Sequence, residues 1–112
     1  MQKTQSTKET KVLRINSIVD NPSAIESLFA LDKHNLLAIG RSDNSIEIWS
    51  TQTWVQLVKI YGTKSNTIRK VFMMKKEETK NVFDNLRLFS IGLNGYLIEW
   101  SLVTFQPKVK LF

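Results

Sequence analysis

His34 is the single histidine of the chain, and so the first place to look for acid–base chemistry near neutral pH. It lies in the polar run Asp32-Lys33-His34-Asn35, which reads as an exposed turn. A Ser-His-Asp arrangement would need it in a cleft, beside a nucleophile, and nothing in the neighbouring sequence supplies one. Glu47 and Glu99 could be imagined as a carboxylate pair for general acid–base work. They precede a tryptophan by two residues and by one, so in a strand they point to opposite faces relative to it. Glu47 is expected along a sheet face near a basic side chain. Glu99 falls where the first half of the chain has Ile48, a slot expected to be buried, and a buried carboxylate needs a partner. Arg41, Arg69 and Arg87 are the candidates, and the role expected of Glu99 is structural.

Other chemistries are argued against in the same way. Gly40, Gly62, Gly92 and Gly95 sit at hairpin or inter-strand positions with no helix behind them, so no phosphate-cradling loop is expected. The chain has no cysteine, which rules out disulfides and thiolate zinc sites and suits a reducing compartment. One histidine and scattered carboxylates make a metal site improbable on composition, and neither a cofactor nor a small-molecule substrate is expected. Trp49, Trp54 and Trp100, with Phe89 and Tyr96, would stack on nucleic-acid bases if exposed. For Trp49 and Trp100 packing inside a core is the simpler expectation, whereas Trp54 falls in a loop, Thr51-Gln52-Thr53-Trp54. These residues suit binding rather than catalysis, and no enzyme is expected.

The elements that would position them follow from the pattern. At 42% apolar and 23% charged residues, most of the chain should fold. Residues 1–10 are polar and without period, so a disordered tail is expected there, with no apolar leader behind it. No apolar run is long enough to span a bilayer, and a soluble intracellular chain is expected. The net charge of +6 would draw the chain to polyanions, but the lysines and arginines are interleaved with acids. Lys75-Lys76-Glu77-Glu78-Thr79-Lys80 is nearly balanced and reads as a solvated loop.

Val12, Leu13, Ile15, Ile18 and Val19 predict a strand over residues 11–19, stopped by Asp20-Asn21-Pro22. After it the sequence repeats. Residues 24–31 match 67–74 in type and order, and 37–40 match 88–92. Ser45-Ile46-Glu47-Ile48-Trp49-Ser50 matches Tyr96-Leu97-Ile98-Glu99-Trp100-Ser101, and 56–61 match 107–112. Trp49 and Trp100 are 51 residues apart, against the roughly 40–45 of a WD repeat with four strands per unit. The surplus falls in one place, residues 75–85, where a loop absorbs it at little thermodynamic cost. Asn94-Gly95 predicts a two-residue hairpin turn, with Leu93 opposite Tyr96, Ile91 opposite Ile98 and Phe89 opposite Trp100. Asp43-Asn44 holds the same place in the first unit. The expected fold is all-β: WD-repeat β-propeller blades, two four-stranded antiparallel sheets of an incomplete propeller. Residues 20–61 form one blade and 62–112 the other, with 11–19 as a propeller-closing strand in a fuller chain.

A strand, Asp or Asn, Gly or Asn, and a strand ending in Trp make the WD-repeat ending, here present twice. Tyr61-Gly62-Thr63 lacks the histidine of the usual Gly-His pair, and Ser50 and Ser101 replace the aspartate after the tryptophan. The hydrogen-bonded Asp-His-Ser-Trp tetrad of such repeats is therefore incomplete, with Asp43 and Trp49 as two available members. Residues 37–49 and 86–100, with Val12-Leu13-Arg14-Ile15 and residues 21–28, resemble the opening of the cirhin family. The resemblance covers residues 11 to about 104. It implies a non-catalytic scaffold subunit of the small-subunit processome, acting in the nucleolus of the nucleus in pre-18S rRNA processing and assembly. The partners it implies are other WD-repeat and scaffold proteins of that particle, with pre-rRNA contacted mainly indirectly and no membrane. That family builds two full propellers, so a chain of this length reads as a fragment or truncated form. The alternative is a WD-repeat interaction module of another intracellular complex. Arg41, Lys64, Arg69 and Lys70 are the expected contact residues, and Trp49, Trp100, Asp43, Asn94, Gly95 and Glu99 the structural ones. Residues 24–61 and 67–112 should superpose as two similar sheets with Trp49 and Trp100 at matching positions. Coordinates showing a helix in either segment, or the tryptophans on non-equivalent strands, would contradict this.

Overall fold

A computed structural model describes residues 22–76 and 81–111. The expected tail over 1–10 and the strand over 11–19 lie outside the described residues. Eight strands follow in chain order: β1 (Ile25–Leu31), β2 (Leu36–Arg41), β3 (Ile46–Ser50), β4 (Gln56–Ile60), β5 (Lys70–Lys75), β6 (Leu86–Ile91), β7 (Leu97–Trp100) and β8 (Pro107–Leu111). They form two four-stranded sheets, β1-β2-β3-β4 and β5-β6-β7-β8, each an antiparallel meander. Trp49 and Trp100 end equivalent strands, and in both sheets the pairing slips at that residue: between Ile48 and Trp49, and between Glu99 and Trp100. These are WD-repeat blades.

Alternation explains the strands. In β6, Leu86, Leu88 and Ser90 are buried while Arg87 and Ile91 are exposed. The buried apolar residues of both sheets, Ile39 apart, join in one cluster. Leu36, Ala38, Ile46, Ile48, Val58 and Ile60 come from the first sheet, and Val71, Met73, Leu86, Leu88, Ile98 and Trp100 from the second. Ile68 joins them from the connection between. Neither sheet has a core of its own. Each supplies one wall, and removing that apolar area from water is the main driving term. Inside the wall Trp100 Nε1 donates to Ser90 Oγ at 2.8 Å, so the indole is buried without an unpaired donor. At the inner edge Val71 N donates to Ser27 Oγ at 3.1 Å, joining β5 to β1.

Three expectations are corrected. The hairpin loops hold three residues, not two. Arg41 N donates to Ser45 O and Gly92 N to Tyr96 O, leaving 42–44 and 93–95 as loops. Only their last residues, Asn44 (φ 67°) and Gly95 (φ 83°), are left-handed, the arrangement of a tight turn followed by one left-handed residue. Leu88 therefore opposes Trp100, Phe89 opposes Glu99 and Ile91 opposes Leu97. A slip of one residue exchanges every pair, so the wholly apolar hairpin face expected from the shorter turn does not form. Secondly, Gly40 and Gly92 are not equivalent: Gly40 pairs with Ile46 as Ile91 pairs with Leu97, and Arg41 occupies the place of Gly92. Thirdly, the matching runs 24–31 and 67–74 do not give strands of the same extent: β1 begins at Ile25 but β5 only at Lys70, with Ile68 packed in the core ahead of it.

Gly62 is a test of how the connection is seated. A Cβ there would lie 1.9 Å from the carbonyl oxygen of Asp43, which is backbone and cannot swing aside. Gly62→Ala should destabilise the fold by about 1–3 kcal/mol, the usual range for overpacking. The change would appear as a lower urea midpoint with an unchanged slope. Gly95→Ala meets nothing within 4 Å and carries only the left-handed penalty, about 1–2 kcal/mol. A wild-type midpoint for Gly62→Ala would contradict this seating.

Candidate functional site

Residues 61–69 cross from one blade to the next, and two hairpin turns hold them down. Asn44 grips the crossing at both ends: its Nδ2 donates to Thr63 O at 2.9 Å, and its Oδ1 accepts from Ile68 N at 3.1 Å. Asn94 does the same from the second blade, donating Nδ2 to Ser65 O at 2.9 Å. The Asn94 backbone N–H donates to Thr67 Oγ1 at 3.3 Å. Three backbone groups of the crossing, Thr63 O, Ser65 O and Ile68 N, are thus paired with side-chain amides.

This crossing carries the basic residues. Lys64 and Lys70 are exposed. The Arg69 side chain is 56% exposed and pairs loosely with Glu26 Oε1, at 3.7 Å, from the first blade. An exposed pair of this kind contributes little to stability, which leaves the guanidinium free to exchange partners. The structure therefore brings Lys64, Arg69 and Lys70 together at one end of the two blades.

Arg41 is not with them. It is 4% exposed, its Nε donates to Glu47 Oε2 at 2.7 Å, and its Nη1 donates to Ser23 O at 2.6 Å. The expectation of a contactable Arg41 is corrected: Arg41 ends β2, and the three-residue loop sets its side chain on the face that Ile39 shares with Glu47, where the carboxylate takes it in. Its partner Glu47 is fully buried and also accepts from Trp49 Nε1 at 2.7 Å and from Lys59 Nζ at 3.1 Å. Burial alone would raise the Glu47 carboxyl. The donors Trp49, Arg41 and Lys59 outweigh it and hold the carboxyl below its ordinary value. Asp43 does not join Trp49 in a shared network. It accepts from the Ser45 amide and hydroxyl and closes its own turn, so the tetrad membership offered to Asp43 and Trp49 is corrected too.

Glu99 lies on the opposite side of its sheet from the shared core and takes Arg87 as partner, with two bonds of 2.9 Å. Arg41 and Arg69 are elsewhere. The Arg87 bonds hold the Glu99 carboxyl below its ordinary value, against the opposing effect of burial, with Lys108 at 3.9 Å adding to the lowering. Arg87 also covers the Phe89 ring, 5.0 Å from its centroid, and Phe89 stacks on Phe72 at 5.0 Å. Met74, Ile91, Val109 and Leu111 lie exposed. By strand register this face corresponds to the face of the first blade that the second blade covers: Phe89, Glu99 and Val109 occupy the places of Ala38, Ile48 and Val58.

Trp49 is half-buried and Trp100 buried, while Trp54 is 43% exposed. Neither Trp49 nor Trp100 presents a stacking platform. His34 closes a short 3-10 turn, Asp32–His34, and is half-buried. Among the described residues no group of three or more His, Asp or Glu could hold a metal ion. Among the described residues no helix is long and apolar enough to cross a membrane. The sequence reading placed a basic side chain near Glu47 but missed its full burial, and it missed the Asn44 clamp. Glu47 stands where the second blade has Ile98, and Lys59 directly across the strand pair was the available signal of its partner.

No protein-family model matches the chain. It is 37% identical over 75 residues to U3 small nucleolar RNA-associated protein 4 of Schizosaccharomyces pombe, which spans 66% of this chain and 10% of that protein. It is 35% identical over 96 residues to the protein of the same name in Saccharomyces cerevisiae, spanning 77% of this chain and 12% of that one. The chain thus covers about a tenth of the length of these relatives. Among solved structures, Saccharomyces cerevisiae Sqt1 is similar, with a TM-score of 0.56 and 24% identity over 90% of this chain and 24% of that one. That likeness concerns the fold alone.

The Glu47 cluster yields a prediction with a pH signature. Glu47→Ala leaves Arg41 buried without its carboxylate and should cost about 3–5 kcal/mol, as breaking one side of a buried pair does. Because the Glu47 pKa is lowered from 4.5, its contribution is fully present above that pH and is lost as pH falls below it. Glu47→Gln should therefore be less stable than wild type at pH 7. The gap should narrow below pH 4.5, read by chemical denaturation at each pH. A gap independent of pH would contradict the ionised cluster.

Proposed function

We propose that this chain is a non-catalytic scaffold segment of the cirhin kind, acting in nucleolar biogenesis of the small ribosomal subunit, in pre-18S rRNA processing and assembly. The observation that carries the reading is the likeness to two proteins of one name, U3 small nucleolar RNA-associated protein 4, across most of this chain. The fold is consistent with it. A blade exposes turns, crossings and strand edges, while its faces are consumed by neighbours, and the described residues offer no catalytic constellation.

The open face of the second blade supports a further part of the proposal, that the two blades belong to a larger propeller. Propellers typically close with 4–8 blades, which leaves only short, protected edges. In the first blade the corresponding face is covered. In the second it presents Met74, Ile91, Val109 and Leu111 to solvent. The partners proposed are other WD-repeat and scaffold proteins of the processome, with pre-rRNA reached mainly through them. Lys64, Arg69 and Lys70 are the proposed contact residues, adding on-rate and orientation more than affinity.

Affinity purification of the tagged, full-length gene product from growing cells tests this. Small-subunit precursors and nucleolar proteins are expected in the eluate. Charge reversal at Lys64 and Arg69 together should reduce their recovery several-fold while the far-UV circular dichroism stays that of wild type. Recovery of an unrelated complex would overturn the functional reading in favour of a WD-repeat module of another assembly, and would leave the fold intact.

A further inference from the structure

Six described residues have left-handed backbone conformations. Four are Asn35, Asn44, Asn85 and Gly95, the residue types that adopt it at least cost. The other two are aromatic, Trp54 (φ 56°) and Phe105 (φ 61°). They are equivalent: Trp54 lies four residues beyond Ser50 in the β3–β4 loop, and Phe105 four beyond Ser101 in the β7–β8 loop. The two loops are built alike. Ser50 Oγ accepts from the amides of Gln52 and Thr53, and Ser101 Oγ from those of Val103 and Thr104. Trp54 N donates to Ser50 O at 2.9 Å and Phe105 N to Ser101 O at 3.0 Å. Each aromatic is fixed at its backbone yet remains exposed, 43% for Trp54 and 41% for Phe105, beside the exposed Val55 and Val103.

Glycine or asparagine in this position would leave the loop unstrained. Among the described residues the other four left-handed positions hold one or the other, and these two alone depart from them. Strain of this kind persists where surrounding structure enforces it and marks sites of use. Both loops lie at the end of the blades opposite the crossing over 61–69, and Thr51 N donates to Asn35 O to fix the first beside the β1–β2 turn. Among the described residues, the exposed charges of the turns at this end balance, Lys33 and Lys76 against Asp32 and Asp84. A polyanion would find little to hold it there, in contrast to the basic crossing. Rigid aromatics flanked by aliphatic side chains on neutral ground are anchors of the kind that fill apolar pockets of a protein.

We infer that Trp54 and Phe105 form a two-point anchor for a protein partner presenting apolar pockets, at the end of the blades away from the basic crossing. The inference rests on the loops alone and stands apart from the processome reading.

The experiment places the photo-reactive residue p-benzoyl-phenylalanine at position 54 or 105 of the full chain in growing cells, with position 64 as control. In parallel it measures the melting temperature of the purified Trp54→Asn/Phe105→Asn variant. The expected result is one and the same polypeptide cross-linked from both positions and not from 64, with a melting temperature equal to or above wild type. Tagged protein carrying both Asn substitutions should recover that polypeptide at least tenfold less well. Cross-links to RNA, to different polypeptides from the two positions, or to none would overturn the inference. So would a lower melting temperature, which would mean that the aromatics serve the fold instead.

Discussion

The rest of this molecule depends on one buried contact, the apolar wall shared by two sheets. Ile46, Ile48, Val58 and Ile60 of the first blade belong to the same cluster as Val71, Met73, Ile98 and Trp100 of the second. A four-stranded antiparallel sheet has an apolar face that must be covered, and here the two sheets cover each other. The positions of the crossing, of both turns and of every exposed residue discussed above follow from that packing. Asn44 can reach Thr63 and Ile68 only because the second blade sits close against the first.

The same constraint separates the molecule into surfaces with different chemistry. Where the wall forms, side chains are aliphatic and the one indole N–H is paired with Ser90. On the far side of the first blade lies a buried charge cluster, Arg41, Glu47 and Lys59, whose members satisfy one another. On the far side of the second blade Arg87 and Glu99 pair at the surface with Arg87 half exposed, so the attraction is screened and contributes less. Glu47 and Glu99 thus differ in consequence though both precede a tryptophan: one strand position apart, they fall on opposite faces, and both are buried, but the arginine of Glu47 is buried with it while that of Glu99 is half exposed.

Much of this was legible in the residues. Two tryptophans, each ending a β-prone run after a polar turn, identified the repeat and the sheets. What the residues did not show was the register at the turns. Asn94-Gly95 is compatible with two turn geometries, and the choice between them rests on whether Asn94 itself needs positive φ, which it does not. From that residue followed the misassigned hairpin partners of the second blade, and the same ambiguity at Asp43-Asn44 hid that Arg41 shares a face with Glu47. Glu99 was recognised as needing a cation, but distance along the chain could not choose between Arg41, Arg69 and Arg87; the strand pairing that sets Arg87 near Glu99 did. Glu47 was read as lying near a basic side chain, which Arg41 and Lys59 both are. Its full burial depends on packing beyond its own strand and left no mark in local pattern. Trp54 looked like a loop residue, and only backbone angles revealed it as one of a matched pair.

The central claim is that the two blades form one cooperative unit held by their shared wall, rather than two independent sheets. Native-state hydrogen exchange across a denaturant series measures this directly. Amides of β2, β3, β6 and β7 should open with the same free energy and the same denaturant dependence, converging on global unfolding. If the amides of β6 and β7 exchanged through a lower-energy opening while those of β2 and β3 stayed protected, the blades would be separable and the claim would be wrong.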